Sequence, residues 1–207
     1  MEFESLIFDI DGTLWDPREP IAAGYNLQLR EEGLDRFSTT PQALTSLFGK
    51  VAEEIGDILM PELPVDFRHE LVRRCINRGQ RYMEENDLDI GYPNVMDTLE
   101  KLSQSHRLFI VSNSLRGYPQ LCMGKMGIGH LIQGSLCYGD TGKTKAETIR
   151  MLMDTHGIQS ACYIGDTLAD QVAADGAGIP FIHCRYGFGT PEHCWKAIDR
   201  FADLLTL

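Results

Sequence analysis

Short apolar runs alternate with amphipathic segments over most of this chain. Residues 6 to 8, 108 to 111 and 161 to 164 are mainly apolar, which is typical of strands buried on both faces of a parallel sheet. Longer segments with apolar residues at helical spacing lie between them. Alternating strands and helices predict an α/β fold, a Rossmann-like parallel sheet with helices on both faces.

The part of the chain from residue 15 to residue 90 has helical spacing only and contains no strand-like run. We predict helices over residues 20 to 32, 41 to 48, 51 to 59 and 67 to 86, with glycine and proline turns between them. This pattern indicates an α-helical cap domain over residues 15 to 90, inserted into a core made of residues 1 to 14 and 91 to 207.

Beyond the insertion, the periodicity predicts further elements of the core. They are helices over 94 to 104, 118 to 126, 143 to 156 and 171 to 177, and strands over 108 to 111, 136 to 138, 161 to 164 and 180 to 183. An amphipathic pattern over residues 191 to 205 predicts a helix that closes the chain.

Composition narrows the class of protein. The chain has 207 residues, of which 43% are hydrophobic and 24% charged, as in an ordinary globular protein. A formal net charge of −11 argues against a nucleic-acid surface. No apolar stretch is long enough to span a bilayer, and the first residues lack the positive region of a signal peptide, so we expect a cytoplasmic protein that binds no membrane. The six cysteines form no Cys-x-x-Cys pair and are expected to be reduced thiols.

Two carboxylates follow the first predicted strand. Asp9 stands at its carboxyl end, Asp11 comes two residues later, and Gly12 lets the backbone turn away. Side chains at positions i and i+2 of an extended segment point to the same side, so the two carboxylates converge. Such a pair needs a hard cation or a shared proton. The alternative is a turn whose polar residues only cap the next element.

Polar residues also follow two other predicted strands. They are Ser112 and Asn113 after the second strand, Asp166 and Asp170 after a later one, and a lysine, Lys145 or Lys143, in a neighbouring loop. In parallel sheets, ligands bind at the carboxyl ends of the strands. Carboxylate oxygens suit Mg²⁺, and a lysine suits phosphoryl oxygens. The combination predicts a phosphoryl-transfer site.

These residues occur in the order of four motifs, and the chain resembles a phosphatase of the haloacid dehalogenase superfamily. The motifs are Asp9-Ile-Asp11-Gly12-Thr13, Ser112 at a strand end, a lysine before a helix, and Gly165-Asp166-x-x-x-Asp170. The helical insertion is similar to the mobile cap of the phosphoglycolate-phosphatase-like branch. The dehalogenases proper lack an aspartate two residues after the nucleophile, so Asp11 favours a phosphatase.

The resemblance implies a role for each matching residue. Asp9 would be the nucleophile that forms an aspartyl-phosphate, and Asp11 the general acid and then the base. Ser112 and the Asn113 backbone would hold the phosphoryl group together with the lysine. Asp9, the Asp11 carbonyl and Asp166 would bind Mg²⁺. Asp170 is a further candidate metal ligand, or it would orient the lysine or a metal-bound water.

Some assignments stay open at this stage. The family branch often has Lys-Pro-x-Pro as its third motif, whereas this chain has Lys143-Thr-Lys145-Ala; counting back from the helix end favours Lys145. Lys50 lies in a turn of the insertion, where related enzymes place a substrate-specificity loop, and is a candidate substrate contact. Trp15 and Phe188 either line the pocket or simply pack near the domain junction.

The expected function is Mg²⁺-dependent hydrolysis of a small phosphorylated metabolite, such as a phosphoglycolate, a sugar phosphate or a nucleoside monophosphate. One alternative is a phosphosugar mutase that uses the same aspartyl-phosphate. Another is a non-catalytic phosphate-binding or regulatory protein, since a fold does not guarantee an activity. We expect a monomer or a homodimer.

Overall fold

A computed structural model of the chain describes residues 3 to 206. The chain forms two compact units, one comprising Met1–Asp16 with Gly91–Leu207 and the other Pro17–Ile90. Within residues 3 to 206, no helix combines the length and the apolar character that crossing a membrane requires.

The second unit is helical. Its helices are α1 (Arg18–Glu31), α2 (Pro41–Leu44), α3 (Ala52–Leu59) and α4 (Val65–Glu85), with 3-10 turns at Asp35–Phe37 and Thr45–Leu47. The predicted helix over 41 to 48 is therefore split into α2 and a 3-10 turn. The Thr40 hydroxyl begins α2 by accepting a hydrogen bond from the Ala43 N–H (3.1 Å), and Pro41 occupies the first helical position.

Helices α1 and α4 approach each other closely at two glycines. A Cβ at Gly24 would lie 2.5 Å from the Cα of Gly79 and 2.6 Å from the carbonyl oxygen of Arg78. These are backbone atoms, so the neighbour cannot move away by changing a rotamer. The small residue at position 24 is therefore required by packing, at a cost to helix propensity of about 1 kcal/mol relative to alanine.

We expect Gly24→Ala to lower the free energy of unfolding by about 1–2 kcal/mol, because overpacking outweighs the gain in helix propensity. Urea denaturation followed by circular dichroism measures the change. Gly124, an exposed helical glycine with open space around its Cα, is the matched control, and Gly124→Ala should leave stability equal or higher. Equal effects of the two substitutions would contradict the packing argument.

The first unit contains a sheet whose strand order is β3-β2-β1-β4-β5-β6. The strands are β1 (Ser5–Phe8), β2 (Arg107–Ser112), β3 (Ile132–Cys137), β4 (Ala161–Gly165), β5 (Phe181–Cys184) and β6 (Lys196–Ile198). Each neighbouring pair is parallel. The predicted α/β fold with a Rossmann-like parallel sheet is confirmed. The chain forms β2 and β3 on one side of β1, and then β4, β5 and β6 on the other side. This reversal creates a switch point between β1 and β4.

Helices cover the sheet on both faces. They are α5 (Val95–Leu102), α6 (Tyr118–Met126), α7 (Tyr138–Thr141), α8 (Lys145–His156) and α9 (Leu168–Ala177). Ile7 of β1 belongs to the buried apolar cluster that α8 and α9 complete. Phe8 points to the opposite face, where its ring lies 5.8 Å from that of Phe201. Asp9 follows Ile7 by two residues, and this alternation directs its side chain toward the starts of α8 and α9.

The predicted closing helix over residues 191 to 205 is wrong. Residues Lys196–Ile198 form the edge strand β6, which pairs in parallel with Ile182, His183 and Cys184 of β5, and a 3-10 helix follows at Phe201–Thr206. The predicted strand over 136 to 138 also lies several residues late, since β3 begins at Ile132. In both cases, pairing with a neighbouring strand decided the structure over local periodicity.

Candidate active site

The polar strand ends meet at the switch point of the sheet. Phe8 pairs with Ile164, so β1 and β4 end side by side, and Asp9 and Asp166 follow them directly. Both carboxyls are buried, Asp9 being 5% exposed and Asp166 fully enclosed. Buried carboxylates need compensating partners, which makes their surroundings informative.

Asp9 and Asp170 share one lysine. Nζ of Lys145 donates hydrogen bonds to Oδ1 of Asp9 (2.8 Å) and to Oδ1 of Asp170 (2.6 Å). All three side chains are buried, with the lysine side chain only 4% exposed. The hydroxyl of Tyr163 lies 3.5 Å from the same Asp9 oxygen and donates its shorter hydrogen bond to the Val111 carbonyl (2.7 Å). The Lys145 ammonium therefore stands where it neutralises Asp9 and faces the end of β1.

A capping box places Lys145 at the start of α8. The Thr144 hydroxyl accepts a hydrogen bond from the Glu147 N–H (3.3 Å), and the Glu147 carboxylate accepts one from the Thr144 N–H (3.0 Å). Helix α8 thus begins at Lys145, whose side chain is directed inward, while Lys143 lies before the cap and is exposed. The Thr-x-x-Glu pattern is visible in the sequence and is the signal that separates the two lysines.

The two carboxyl oxygens of Asp170 accept hydrogen bonds from different groups. Oδ1 accepts from Lys145, and Oδ2 accepts from the Thr167 N–H (2.9 Å), the Thr167 hydroxyl (2.7 Å) and the Asp166 N–H (3.2 Å). It is the third residue of α9 and closes that helix's capping box. The sequence suggested Asp170 as a metal ligand or as a group that orients the lysine. The observed contacts suit the second role, because both oxygens are engaged.

Asp166 has an oxygen suited to a cation. Its Oδ2 accepts a hydrogen bond from the Phe188 N–H (2.6 Å), whereas its Oδ1 is buried without a hydrogen-bond partner among the described residues. Oxygens of Asp9, Asp166 and Asp170 lie within 4.8 Å of one another. Gly12 keeps this space open, since it has a φ of 81° and a Cβ there would overlap the Asp166 carboxylate. Hard oxygen donors around an unpaired oxygen fit Mg²⁺.

The charges of the cluster lead to the same conclusion. Burial raises the pKa of Asp9 to about 7, with Lys145 opposing the shift and Asp170 adding to it. Burial, together with the charges of Asp170 and Asp9, holds the pKa of Asp166 well above its usual range. Burial also works against the charge of Asp170, but Lys145 outweighs it and lowers the pKa of Asp170. One lysine thus lies among three carboxyls, with hydrogen bonds to those of Asp9 and Asp170, and a divalent cation would balance the remaining charge.

Asp11 lies beside this cluster with partners of its own. Its Oδ1 accepts hydrogen bonds from the Tyr118 hydroxyl (2.6 Å) and from the Trp15 indole N–H (2.8 Å). Burial raises the pKa of Asp11 to about 6, although these two hydrogen bonds favour the carboxylate. A carboxyl that exchanges its proton near neutral pH is suited to general acid and base catalysis.

The chain matches a known protein family over most of its length. A sequence model described as haloacid dehalogenase-like hydrolase matches residues 6–184, the greater part of the chain. The chain belongs to the haloacid dehalogenase-like hydrolase family. The resemblance drawn from the four motifs is confirmed.

Individual relatives support this membership. The chain is 27% identical to a pyrophosphatase, PpaX, of Oceanobacillus iheyensis over 191 residues, which cover 86% of this chain and 82% of the relative. It is 25% identical over 202 residues to a phosphoglycolate phosphatase of Aliivibrio fischeri, covering 92% and 88%. The crystal structure of a predicted phosphoglycolate phosphatase from Haemophilus somnus 129PT has the same fold, with a TM-score of 0.84, 23% identity, and coverage of 100% of this chain and 98% of that one.

In this haloacid dehalogenase-like hydrolase, hydrogen bonds join some of the predicted site residues, whereas for others the structure gives only their position. Asp9, Lys145, Asp166 and Asp170 form one hydrogen-bonded group, and Asp11 adjoins it. Ser112 ends β2 next to β1, is buried, and its Oγ accepts from the Ser114 N–H (3.2 Å). Asn113 follows it and is half-buried. Lys50 belongs to the helical unit, in the turn after Thr45–Leu47, where its N–H donates to the Leu47 carbonyl (3.2 Å).

Two aromatic residues that contact the site carboxyls, Tyr118 and Tyr163, were not predicted from the sequence. Tyr118 reads as an ordinary helix residue, and Tyr163 as one residue of an apolar strand. Their contacts with Asp11 and Asp9 span 107 and 154 residues of chain, so no local spacing identifies them. For Trp15, the packing interpretation is incomplete, because the buried indole also donates to Asp11.

Proposed function

We propose that this protein is a Mg²⁺-dependent phosphatase that hydrolyses a small phosphomonoester through an aspartyl-phosphate on Asp9. The observation that carries the proposal is the buried Asp9 at the end of β1, hydrogen-bonded to Lys145 and close to Asp166, which has an oxygen without a hydrogen-bond partner among the described residues. Relatives named phosphoglycolate phosphatase and pyrophosphatase point to the same class of reaction.

In the first step, a carboxylate oxygen of Asp9 attacks phosphorus while the bond to the leaving oxygen breaks. Asp11 gives its proton to that oxygen, so the alcohol departs neutral. In the second step, a water gives a proton to the Asp11 carboxylate and attacks the phosphorus of the aspartyl-phosphate. Inorganic phosphate and the free Asp9 carboxylate result, and Asp11 is protonated again for the next cycle.

Other residues hold the phosphoryl group and the cation. Ser112, the backbone of Asn113 and Lys145 would bind the phosphoryl oxygens, whose negative charge the ammonium stabilises. Asp9, the Asp11 carbonyl and Asp166 would hold Mg²⁺, with Asp170 keeping the lysine in place. When bound, Mg²⁺ supplies positive charge to the phosphoryl oxygens.

The helical unit would act as a cap that excludes bulk water during the first step, with Lys50 as a candidate substrate contact. Phosphoglycolate, sugar phosphates and nucleoside monophosphates are the substrate classes that the family resemblance suggests. The formal net charge of −11 favours a small metabolite over a nucleic acid as the partner.

The test is release of free phosphate from these classes, from pyrophosphate and from p-nitrophenyl phosphate. We expect turnover with Mg²⁺, a loss of at least about 10²-fold after EDTA, and recovery when Mg²⁺ is restored in excess. Turnover that is insensitive to EDTA would contradict the metal assignment. Phosphoryl migration within a sugar phosphate that requires a bisphosphate and releases no phosphate would contradict hydrolysis.

A further inference from the structure

Two aromatic side chains hold Asp11 from different parts of the first unit. Trp15 comes from the segment after β1, whereas Tyr118 is the first residue of α6. The two rings pack edge to face with their centroids 5.7 Å apart, and the residues are only 1% and 3% exposed. Their N–H and O–H groups meet on a single atom, Oδ1 of Asp11.

The backbone fixes both donors. Gly117, with a φ of 89°, immediately precedes α6, and Pro119 stands in its first turn. The backbone at Tyr118 is therefore fixed, and it sets the direction of the Tyr118 side chain. Trp15 forms isolated β-bridges with Asp11 and Gly91. The Asp11 carboxyl, by contrast, rotates about a terminal torsion that has no sharp intrinsic preference. Two fixed donors on one oxygen therefore set the plane of this carboxyl.

Packing alone does not require this arrangement. A buried indole N–H and a buried phenol need acceptors, but backbone carbonyls serve that purpose for other aromatic residues here. The Tyr186 hydroxyl, for example, donates to the Thr13 carbonyl at 2.9 Å. Here both donors bind the same oxygen of the Asp11 carboxyl, next to the nucleophile. The two oxygens of this carboxyl therefore have different surroundings.

We propose that Tyr118 and Trp15 are positioning residues that keep Oδ1 of Asp11 as a hydrogen-bond acceptor and thereby assign proton transfer to Oδ2. The inference rests on the proposed function and adds the groups that orient its acid and base. Oδ2–H gives its proton to the leaving oxygen as the P–O bond breaks. The same Oδ2 then takes a proton from the attacking water. Without the two donors, the carboxyl would rotate and present the proton in the wrong direction for part of the time.

The leaving group separates this role from a structural one. Nitrophenolate departs as a stable anion and needs little help from an acid, whereas an alkoxide needs the proton. We expect Tyr118→Phe to lower kcat/KM for glycerol 2-phosphate roughly tenfold or more, and that for p-nitrophenyl phosphate less than about threefold. Trp15→Phe should change the ratio of the two kcat/KM values in the same direction. Because kcat/KM reports the first irreversible step, slow hydrolysis of the aspartyl-phosphate does not mask the difference.

Tyr186→Phe is the matched control, since it also removes a tyrosine hydroxyl that donates within the first unit, and it should leave the ratio of kcat/KM values unchanged. An equal loss on both substrates, or no loss with Tyr118→Phe, overturns the inference while leaving the phosphatase proposal intact. A wild type that hydrolyses only the aryl ester also overturns it, because Asp11 would then deliver no proton to an alcohol. A wild type inactive on both esters removes the proposed function and the inference together.

Discussion

Replacing Asp9 with asparagine is expected to lower kcat for phosphate release by at least about 10³-fold, the largest effect of a single substitution in this protein. The amide has the shape of the carboxyl and still accepts a hydrogen bond from Lys145, but it is not a nucleophile for phosphorus. Phosphate release from the best substrate of the panel, with saturating Mg²⁺, measures the loss. Trapping with radiolabelled substrate should show phosphoprotein in wild type and none in the variant.

The variant should remain folded. Asp9 is buried near two other carboxyls, and burial raises its pKa to about 7, so its charge is costly in the native state at neutral pH. The free energy of unfolding in EDTA should therefore fall by no more than about 1 kcal/mol. Asp154→Asn on the exposed side of α8 is the control and should retain wild-type turnover. Substantial activity in folded Asp9→Asn would exclude Asp9 as the nucleophile.

Removal of the Lys145 ammonium is expected to reduce both activity and stability. In Lys145→Ala, two buried carboxylates, those of Asp9 and Asp170, lose the cation that they share. Breaking a buried ion pair on one side costs about 3–5 kcal/mol, and loss of a phosphoryl-binding charge should lower kcat/KM by about 10²-fold or more. Urea unfolding and phosphate release measure the two effects separately.

Lys143→Ala is the matched control, because this lysine is two residues away and exposed. It should change stability by no more than about 0.5 kcal/mol and activity by no more than about twofold. Lys145→Arg retains the charge and should fold, yet remain slow, since a planar guanidinium does not reproduce the point contact of an ammonium. A large loss of activity with Lys143→Ala and none with Lys145→Ala would reverse the assignment of the two lysines.

Local sequence was informative wherever a strand ended in a polar residue. The apolar run before Asp9 predicted a buried strand and placed the carboxyl at its end, and the same reasoning located Ser112 and Asp166. Parallel strands share one carboxyl edge, so three separate positions could be expected at one site. Counting back from the helix end favoured Lys145 over Lys143, and the Thr144 capping box in the structure explains why the helix begins at Lys145.

Periodicity failed where two structures could satisfy the same pattern. Residues 191 to 205 carry apolar residues at helical intervals, but Ala197 and Ile198 instead extend the edge of the sheet beside His183 and Cys184. An edge strand of three residues has too few positions to show an alternation of its own. Pairing with the backbone N–H and C=O groups of β5 makes this segment a strand. The sequence of the segment itself contains no information about that neighbour.

The sequence by itself indicated the α/β class, the strand ends that carry the chemistry, and the residues of the four motifs, with Lys143 left as the alternative to Lys145. Local rules suffice for these features, because strand burial, turns and helix caps depend on residues only a few positions apart. The tertiary structure alone decided that Asp170 uses both oxygens for Lys145 and the start of α9, and that Tyr118 and Trp15 converge on Asp11. Such contacts join distant segments, and their geometry follows from the packing of the whole unit.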